Sequence, residues 1–188
     1  MLELFRINDP YRLIIVFMLL FALRLPFMFS WEFLTFAELN WLVVGEKLHN
    51  GALLYADVWT QTEPLSALMY LIVDFVAGRS LFAYRLLGTL LFFLQAAYFN
   101  IVLLRHKVFN ENNYIPSLIY VLYGLLIFNE VTLSPQLMGL TFVLFGINSL
   151  FTHMAAGRRT DENPLNIGIY TGLAALFYLP YVYFLLVW

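Results

Sequence analysis

Long apolar segments alternate with short polar ones along most of this chain. The longer segments approach the roughly 20 apolar residues that a helix needs to cross a bilayer. The positions between them carry prolines, glycines and charged residues, which are typical of helix ends and loops. The pattern predicts hydrophobic helices at residues 11–29, 65–77, 81–104, 114–128, 137–154 and from 165 onward.

Residues 30–63 depart from this pattern and form the most polar long stretch of the chain. Three of the four tryptophans lie there, and tryptophan favours the boundary between membrane and water. A single basic residue, Lys47, accompanies the acidic ones. The stretch is therefore predicted to be a loop at one membrane face. Its acidic residues are Glu32, Glu38, Glu46, Asp57 and Glu63.

Within this loop, apolar residues recur from Ala37 to Leu48 at the spacing of one helix face. Charged residues occupy other faces, so the segment is predicted to be an amphipathic helix that lies in the membrane interface. Asn50-Gly51 predicts its end, because glycine readily adopts the left-handed conformation that stops a helix. Pro64 suits the first turn of the next helix.

Composition strengthens the membrane assignment. The chain has 188 residues, 62% of them hydrophobic and only 12% charged, whereas soluble domains carry about 25% charged residues. We therefore predict an all-α, polytopic integral membrane protein. It is expected to be a single transmembrane domain over residues 1–188, with five or six hydrophobic helices and an interfacial helix in the first outer loop.

The same counts exclude several classes of function. The chain contains no cysteine, which excludes disulfides, thiolate metal sites and cysteine nucleophiles. A net charge of −2 with two lysines leaves no basic surface for nucleic acid. The three histidines, His49, His106 and His153, lack the spacing of metal ligands, so no metal is predicted.

The topology has two versions, and residues 65–77 distinguish them. If this short segment crosses the membrane, most basic loop residues fall on the outer side, against the positive-inside rule. If it re-enters instead, Arg105, Lys107, Arg158 and Arg159 move inside, and the rule favours this version. Both versions place the acidic loop outside.

Charged residues within apolar segments are costly, so each suggests a function or a partner. Arg24 either extends its charged end to the outer boundary or binds a phosphate beside the acidic loop. For Asp74 we favour a structural ion pair with Arg79 or Arg85. The acidic residues of the loop either form a solvated surface or supply a general base toward a hydroxyl acceptor.

In this loop, Glu38 is followed by the amphipathic helix, by Gly51, by Leu54-Tyr55-Ala56-Asp57-Val58-Trp59 and by Glu63-Pro64-Leu65. This order of residues resembles the first outer loop of the GT-C superfamily, membrane glycosyltransferases that use polyprenyl-phosphate-linked sugars. The resemblance covers residues 11–105.

It implies that Glu38 is the catalytic base and that Arg24 or Arg85 holds the donor phosphate. Asp57 and Glu63 would shape the acceptor side. A polyprenyl-phosphate lipid is the implied ligand, with no other cofactor.

The chain also differs from the GT-C pattern. A glutamate replaces the usual aspartate, Ala37 stands where a second acid is common, and one proline precedes Leu65 instead of two. Enzymes of this superfamily are also at least twice as long. These differences support an alternative, a non-catalytic subunit of a larger envelope complex. They also suggest that the chain is the N-terminal part of a longer protein.

A second set of motifs extends over nearly the whole chain: Leu4-Phe5-Arg6, Asp9-Pro10-Tyr11, Leu133-Ser134-Pro135 and Ala174-Ala175-Leu176-Phe177-Tyr178-Leu179-Pro180. These motifs are similar to those of an uncharacterised multi-pass family from Bacteroidota, and the resemblance implies a bacterial inner-membrane protein.

Gly168 and Gly172 have the spacing of a helix-packing motif and predict a contact with a neighbouring helix or a partner protein.

Overall fold

A computed structural model describes residues 11–28, 35–109, 114–127, 132–156 and 162–186, and these parts are helical apart from connections. The all-α prediction is confirmed for them. Trp31, Glu32, the motifs before Tyr11 and the loop at 157–161 lie outside the described residues. The elements are α1 (Tyr11–Met28), α2 (Phe36–His49), α3 (Pro64–Ala77), α4 (Leu81–Arg105), α5 (Ile115–Ile127), α6 (Pro135–Ala156), α7 (Glu162–Phe177) and a 3₁₀ helix (Leu179–Leu186).

Each predicted hydrophobic segment contains a helix, but their lengths differ. Among the described helices, α1, α4 and α6 are long and apolar enough to cross a membrane. The shorter apolar helices are α3, α5 and α7. With 14 residues, α3 extends roughly 21 Å, less than the hydrocarbon thickness of about 30 Å. The described helices are compatible with a membrane protein, while the number of crossings stays a prediction.

Local sequence determines where α2 and α3 begin and end. The Thr35 hydroxyl accepts a hydrogen bond from the Glu38 backbone N–H, and the Glu38 carboxylate accepts one from the Thr35 N–H, which closes a capping box. Gly51 follows α2 with a φ of 89°, as predicted. Pro64 opens α3 in its first turn, also as predicted.

The helices α1 and α4 pack antiparallel. Near the end of α1, the carbonyl of Phe27 accepts a hydrogen bond from Arg85 near the start of α4. Two turns further along α4, the ring of Phe93 lies 4.9 Å from that of Phe17. The helix α5 joins this pair, and their shared core contains Val16, Leu20, Phe92, Ala96 and Val121.

A second core forms where α2 and α3 meet the start of α4. The rings of Trp41, Tyr70 and Tyr84 stack in succession, with centroids 6.0 and 5.7 Å apart. The C-terminal ends of α2 and α3 lie side by side, because the loop between the two helices returns to the start of α2 and α3 then runs parallel to α2. The helix α7 packs on α6 and also reaches α3, where the Ser66 hydroxyl donates to the carbonyl of Phe177.

The glycines of the predicted packing motif face outward. A methyl group added at Gly168 or Gly172 would meet no atom of the described chain within 4 Å. The motif therefore has no packing partner in the part of the chain described, and its contact with a partner protein stays a prediction. Gly88 is different, because a methyl group there would overlap the backbone of Thr132.

Candidate functional site

Glu38 lies in the first turn of α2 and is the centre of a buried polar cluster. Only 3% of its surface is exposed. The capping box with Thr35 positions its carboxylate, with the Thr35 N–H 3.1 Å from Oε2. The partial positive charge of a helix N-terminus also favours a carboxylate in this turn.

Arg85 on α4 binds this carboxylate with two nitrogens. Its Nε lies 3.1 Å from Glu38 Oε1, and its Nη2 lies 3.1 Å from Oε2. Its Nη1 donates to the carbonyl of Phe27, one of the last-turn carbonyls of α1 that lack a partner within their helix. Arg85 therefore connects the end of α1 with the start of α2.

Thr132 completes what we call the Glu38–Arg85 cluster, which consists of Thr35, Glu38, Arg85 and Thr132. The Thr132 hydroxyl donates to Glu38 Oε1. The absence of a side chain at Gly88 allows the backbone before α6 to pass close to α4 at this point.

The hydrogen bonds of the cluster determine the charge of Glu38. Burial raises the pKa of this carboxyl, but hydrogen bonds from Arg85, Thr132 and Thr35 lower it by a larger amount. The pKa of Glu38 therefore lies below its ordinary value. Glu38 is therefore a stable carboxylate and a weak base at neutral pH, since an efficient general base has a pKa near the working pH. In this arrangement it fixes the position of Arg85.

Arg24 lies one helical turn before the end of α1, close enough to interact electrostatically with Arg85 and Glu38. It is 9% exposed. It also lines an open groove of about 600 Å³ between α1 and α5, and among the described lining residues its side chain is the charged one. The other described residues of the lining are Leu23, Phe27, Leu122, Leu125 and Leu126.

The structure thus brings together three of the predicted site residues, Glu38, Arg85 and Arg24. The other two have different neighbours. Asp57 Oδ2 accepts a hydrogen bond of 2.8 Å from the Leu53 N–H and stabilises the turn after α2. Glu63 precedes α3, and its Oε1 accepts one of 3.0 Å from the N–H of Leu179. Their predicted role at an acceptor site stays a prediction.

The predicted partner of Asp74 is wrong. Asp74 contacts neither Arg79 nor Arg85 but His49, whose Nδ1 lies 2.7 Å from Oδ2. Arg79 instead pairs with Glu46 at 3.0 Å. The reason is the arrangement of α2 and α3, which places their two C-terminal ends side by side.

Sequence reasoning missed Thr132 and the Phe27 carbonyl. Thr132 is separated from Glu38 by 94 positions, and no local pattern marks it. A signal did exist for Phe27, because helix-end carbonyls require partners outside their helix. Which partner they would find depended on the packing of α1 against α4.

Comparison of the chain with protein-family models, with curated proteins and with solved structures gave no match.

Proposed function

We propose that this protein resides in the bacterial inner membrane and binds a polyprenyl-phosphate-linked sugar in the groove beside Arg24. The observation that carries the proposal is a buried arginine in the lining of an open groove whose other described residues are apolar. An isoprenoid chain needs an apolar surface, and its phosphate needs a cation such as a guanidinium.

The exposure of the groove walls supports access from the lipid phase. Leu23 and Phe27 on α1 are each 45% exposed, and Leu126 on α5 is 77% exposed. Arg24 stands four residues before Met28, about 6 Å from the helix end at 1.5 Å per residue. A lipid phosphate at that depth would be near the level of the headgroups, with its chain along the leucines.

Binding of undecaprenyl phosphate to the purified protein in mild detergent, followed by native mass spectrometry, tests this proposal. Arg24→Gln should weaken binding about tenfold or more, because a hydrogen bond to a charged group contributes roughly 1.5–3 kcal/mol. The matched control is Arg79→Gln, which removes an arginine that is half exposed. Undecaprenol, which lacks the phosphate, should bind wild type and Arg24→Gln equally. Equal binding of undecaprenyl phosphate by wild type and Arg24→Gln would refute the proposal.

Transfer of the sugar to an outer acceptor forms the second part of the proposal, with Glu38 as base and Asp57 and Glu63 near the acceptor. For Glu38 to accept a proton, the acceptor hydroxyl would have to displace one of its present donors. A transfer assay with Glu38→Gln tests this step. Unchanged transfer, at unchanged donor binding, would exclude Glu38 as the base.

A non-catalytic subunit is the second candidate, and one observation favours it. Both oxygens of Glu38 already accept hydrogen bonds, as expected for a structural carboxylate. In this case the outward-facing Gly168 and Gly172 would contact a partner helix. Replacing both by leucine should release a partner that co-purifies in mild detergent. Retention of that partner would eliminate this surface as the contact.

A further inference from the structure

The helix α3 buries one face and exposes another. Toward the protein it buries Ser66, Ala67, Tyr70, Val73 and Asp74. Away from the protein, four apolar side chains are between 47% and 79% exposed: Leu68, Ile72, Phe75 and Val76. They follow one another at the spacing of a single helix face. The helix therefore has an apolar stripe, called here the α3 stripe, that the described chain leaves open.

The apolar face of α2 is covered instead. Trp41 and Val44 belong to the face through which the sequence predicts contact with the membrane, and they are 8% and 1% exposed. The Trp41 ring stacks on that of Tyr70 on α3, with centroids 6.0 Å apart. Packing against α3 thus uses the face that was expected to meet lipid, while the α3 stripe remains open to the surroundings.

The directions of the long helices show at which face of the bundle α3 lies. Because α1 and α4 are antiparallel, the end of α1 and the start of α4 are at one face. Gln95 on α4 donates to the carbonyl of Leu137 on α6. Eleven residues further along both helices, His106 contacts Asn148. The helices α4 and α6 are therefore parallel and begin at the same side.

The helix α7 returns to that side. The ring of Phe142 on α6 stacks on that of Phe177 on α7. Three residues later on α6, Phe145 contacts Tyr170, which is seven residues earlier on α7. The two helices are therefore antiparallel, and the end of α7 lies at the side where α4 and α6 begin.

Both ends of α3 are held at this face. Near its start, the Ser66 hydroxyl donates to the carbonyl of Phe177 at the end of α7, at 2.8 Å. At its end, residues 78–80 lead directly into α4. Charged residues flank the helix, with Glu63 before it and the half-exposed Arg79 after it. The helix thus connects the ends of two other helices on one side of the bundle.

We propose that α3 does not cross the membrane and instead lies in the leaflet at the face where α1 ends, with the α3 stripe against the acyl chains. An apolar stripe between charged ends is the pattern of a helix in the membrane interface. Lipid fits as the occupant because α4, which is long enough to cross the membrane, begins three residues after α3 and keeps it at the membrane surface. Residues 35–80 then remain at one face, and the loop after α4 lies at the other. The inference rests on the proposed membrane location and is independent of the binding of a lipid-linked sugar.

Labelling of single cysteines tests this topology, since the chain has no cysteine of its own. Trp59→Cys between α2 and α3, Arg79→Cys after α3 and Val108→Cys after α4 replace exposed side chains. With a membrane-impermeant maleimide on intact spheroplasts, Trp59→Cys and Arg79→Cys should give the same result and Val108→Cys the opposite one. All three should react after permeabilisation. Opposite results for Trp59→Cys and Arg79→Cys would mean that α3 crosses the membrane and would overturn the proposal.

Spin labels attached to single cysteines in liposomes test the contact with lipid. Labels at Leu68, Phe75 and Val76 should collide with oxygen more often than with a water-soluble nickel complex. Their depths should all lie within the interfacial layer of about 5–10 Å, whereas in a crossing helix Leu68 and Val76 would differ by about 12 Å. The matched control is a label at the exposed Lys47 on α2, which should collide mainly with the nickel complex. A label at Phe75 that meets mainly the nickel complex, or neither reagent as in a protein contact, would overturn the proposal.

A label at Met18 separates this inference from the membrane location itself. Met18 lies in the middle of α1 and is 67% exposed, so its label should meet oxygen wherever α1 crosses a membrane. Water at Phe75 with lipid at Met18 would refute the position of α3 alone. Water at both would refute the membrane location and, with it, this inference.

Discussion

Removing one charge of the Glu38–Arg85 cluster should destabilise the protein strongly. In Glu38→Gln the side chain keeps its shape, but Arg85 loses its carboxylate while remaining 6% exposed. Breaking a buried ion pair in this way costs about 3–5 kcal/mol, because the remaining charge stays out of water. Glu46→Gln is the matched control. Its pair with Arg79 has side chains that are 42% and 49% exposed, and such pairs contribute at most about 1 kcal/mol.

A double-mutant cycle isolates the interaction between the two residues. Arg85→Met leaves Glu38 with its bonds from Thr35 and Thr132 and should also destabilise. Combining Glu38→Gln with Arg85→Met removes both charges, so the double variant should be more stable than the sum of the two single effects indicates. We expect a coupling energy of about 1–3 kcal/mol.

Unfolding in dodecyl maltoside by increasing sodium dodecyl sulfate, followed by far-ultraviolet circular dichroism, measures these differences. Glu38→Gln should shift the midpoint several times further than Glu46→Gln. Shifts of equal size, or single effects that simply add, would show that the cluster does not hold α1, α2 and α4 together.

The pH dependence gives an independent check. Because the pKa of Glu38 lies below its ordinary value of 4.5, the carboxylate adds stability that is fully present above this pH. That stability is lost as the pH falls through the folded-state value. The difference in the free energy of unfolding between wild type and Glu38→Gln should therefore be constant between about pH 5 and about pH 8. A difference that already falls between pH 8 and pH 6 would contradict the assigned hydrogen bonds.

Three further predictions use the same unfolding assay. Gly88→Ala should lower the free energy of unfolding by about 1–3 kcal/mol, because the added methyl overlaps the backbone before α6. Gly168→Ala should be neutral or stabilising by up to about 1 kcal/mol. A larger loss of stability in Gly168→Ala than in Gly88→Ala would refute the close packing of α4 against the backbone at Thr132. Gln95→Leu should cost about 1–2 kcal/mol, since its amide is hydrogen-bonded at both ends; no change would mean that these bonds do not form. His49→Ala should cost about 1–3 kcal/mol, because the buried carboxylate of Asp74 loses its histidine, and a stabilised variant would contradict that contact.

Local signals in the sequence were sufficient for most helices. The capping box at Thr35, the stop at Gly51 and the start at Pro64 each depend on residues within a few positions of one another. One local signal was overlooked. Pro180 has no N–H with which to continue the α-helical hydrogen bonds, and the last predicted helix accordingly ends at Phe177 and is followed by a 3₁₀ helix.

The candidate site was predictable only in part. Glu38 was identified from the order of residues in the acidic loop, and Arg24 because charged residues within apolar segments are costly and require a partner. The partner that each charged residue takes could not be predicted in this way, as Asp74 shows. Several basic residues were available to it, and the sequence contains no measure of which helix ends meet. The packing of α2 beside α3 selected His49.

By itself, the sequence determined the all-α class, the apolar segments and the ends of α2 and α3, because hydrophobic periodicity and capping act over a few residues. The tertiary structure alone decided that Arg85 meets Glu38, that Thr132 completes their cluster, and that a groove forms beside Arg24. These features join residues that are far apart in the chain. Buried charged and polar groups take whichever partners the packed helices bring within hydrogen-bond distance, and that distance is a property of the assembled bundle.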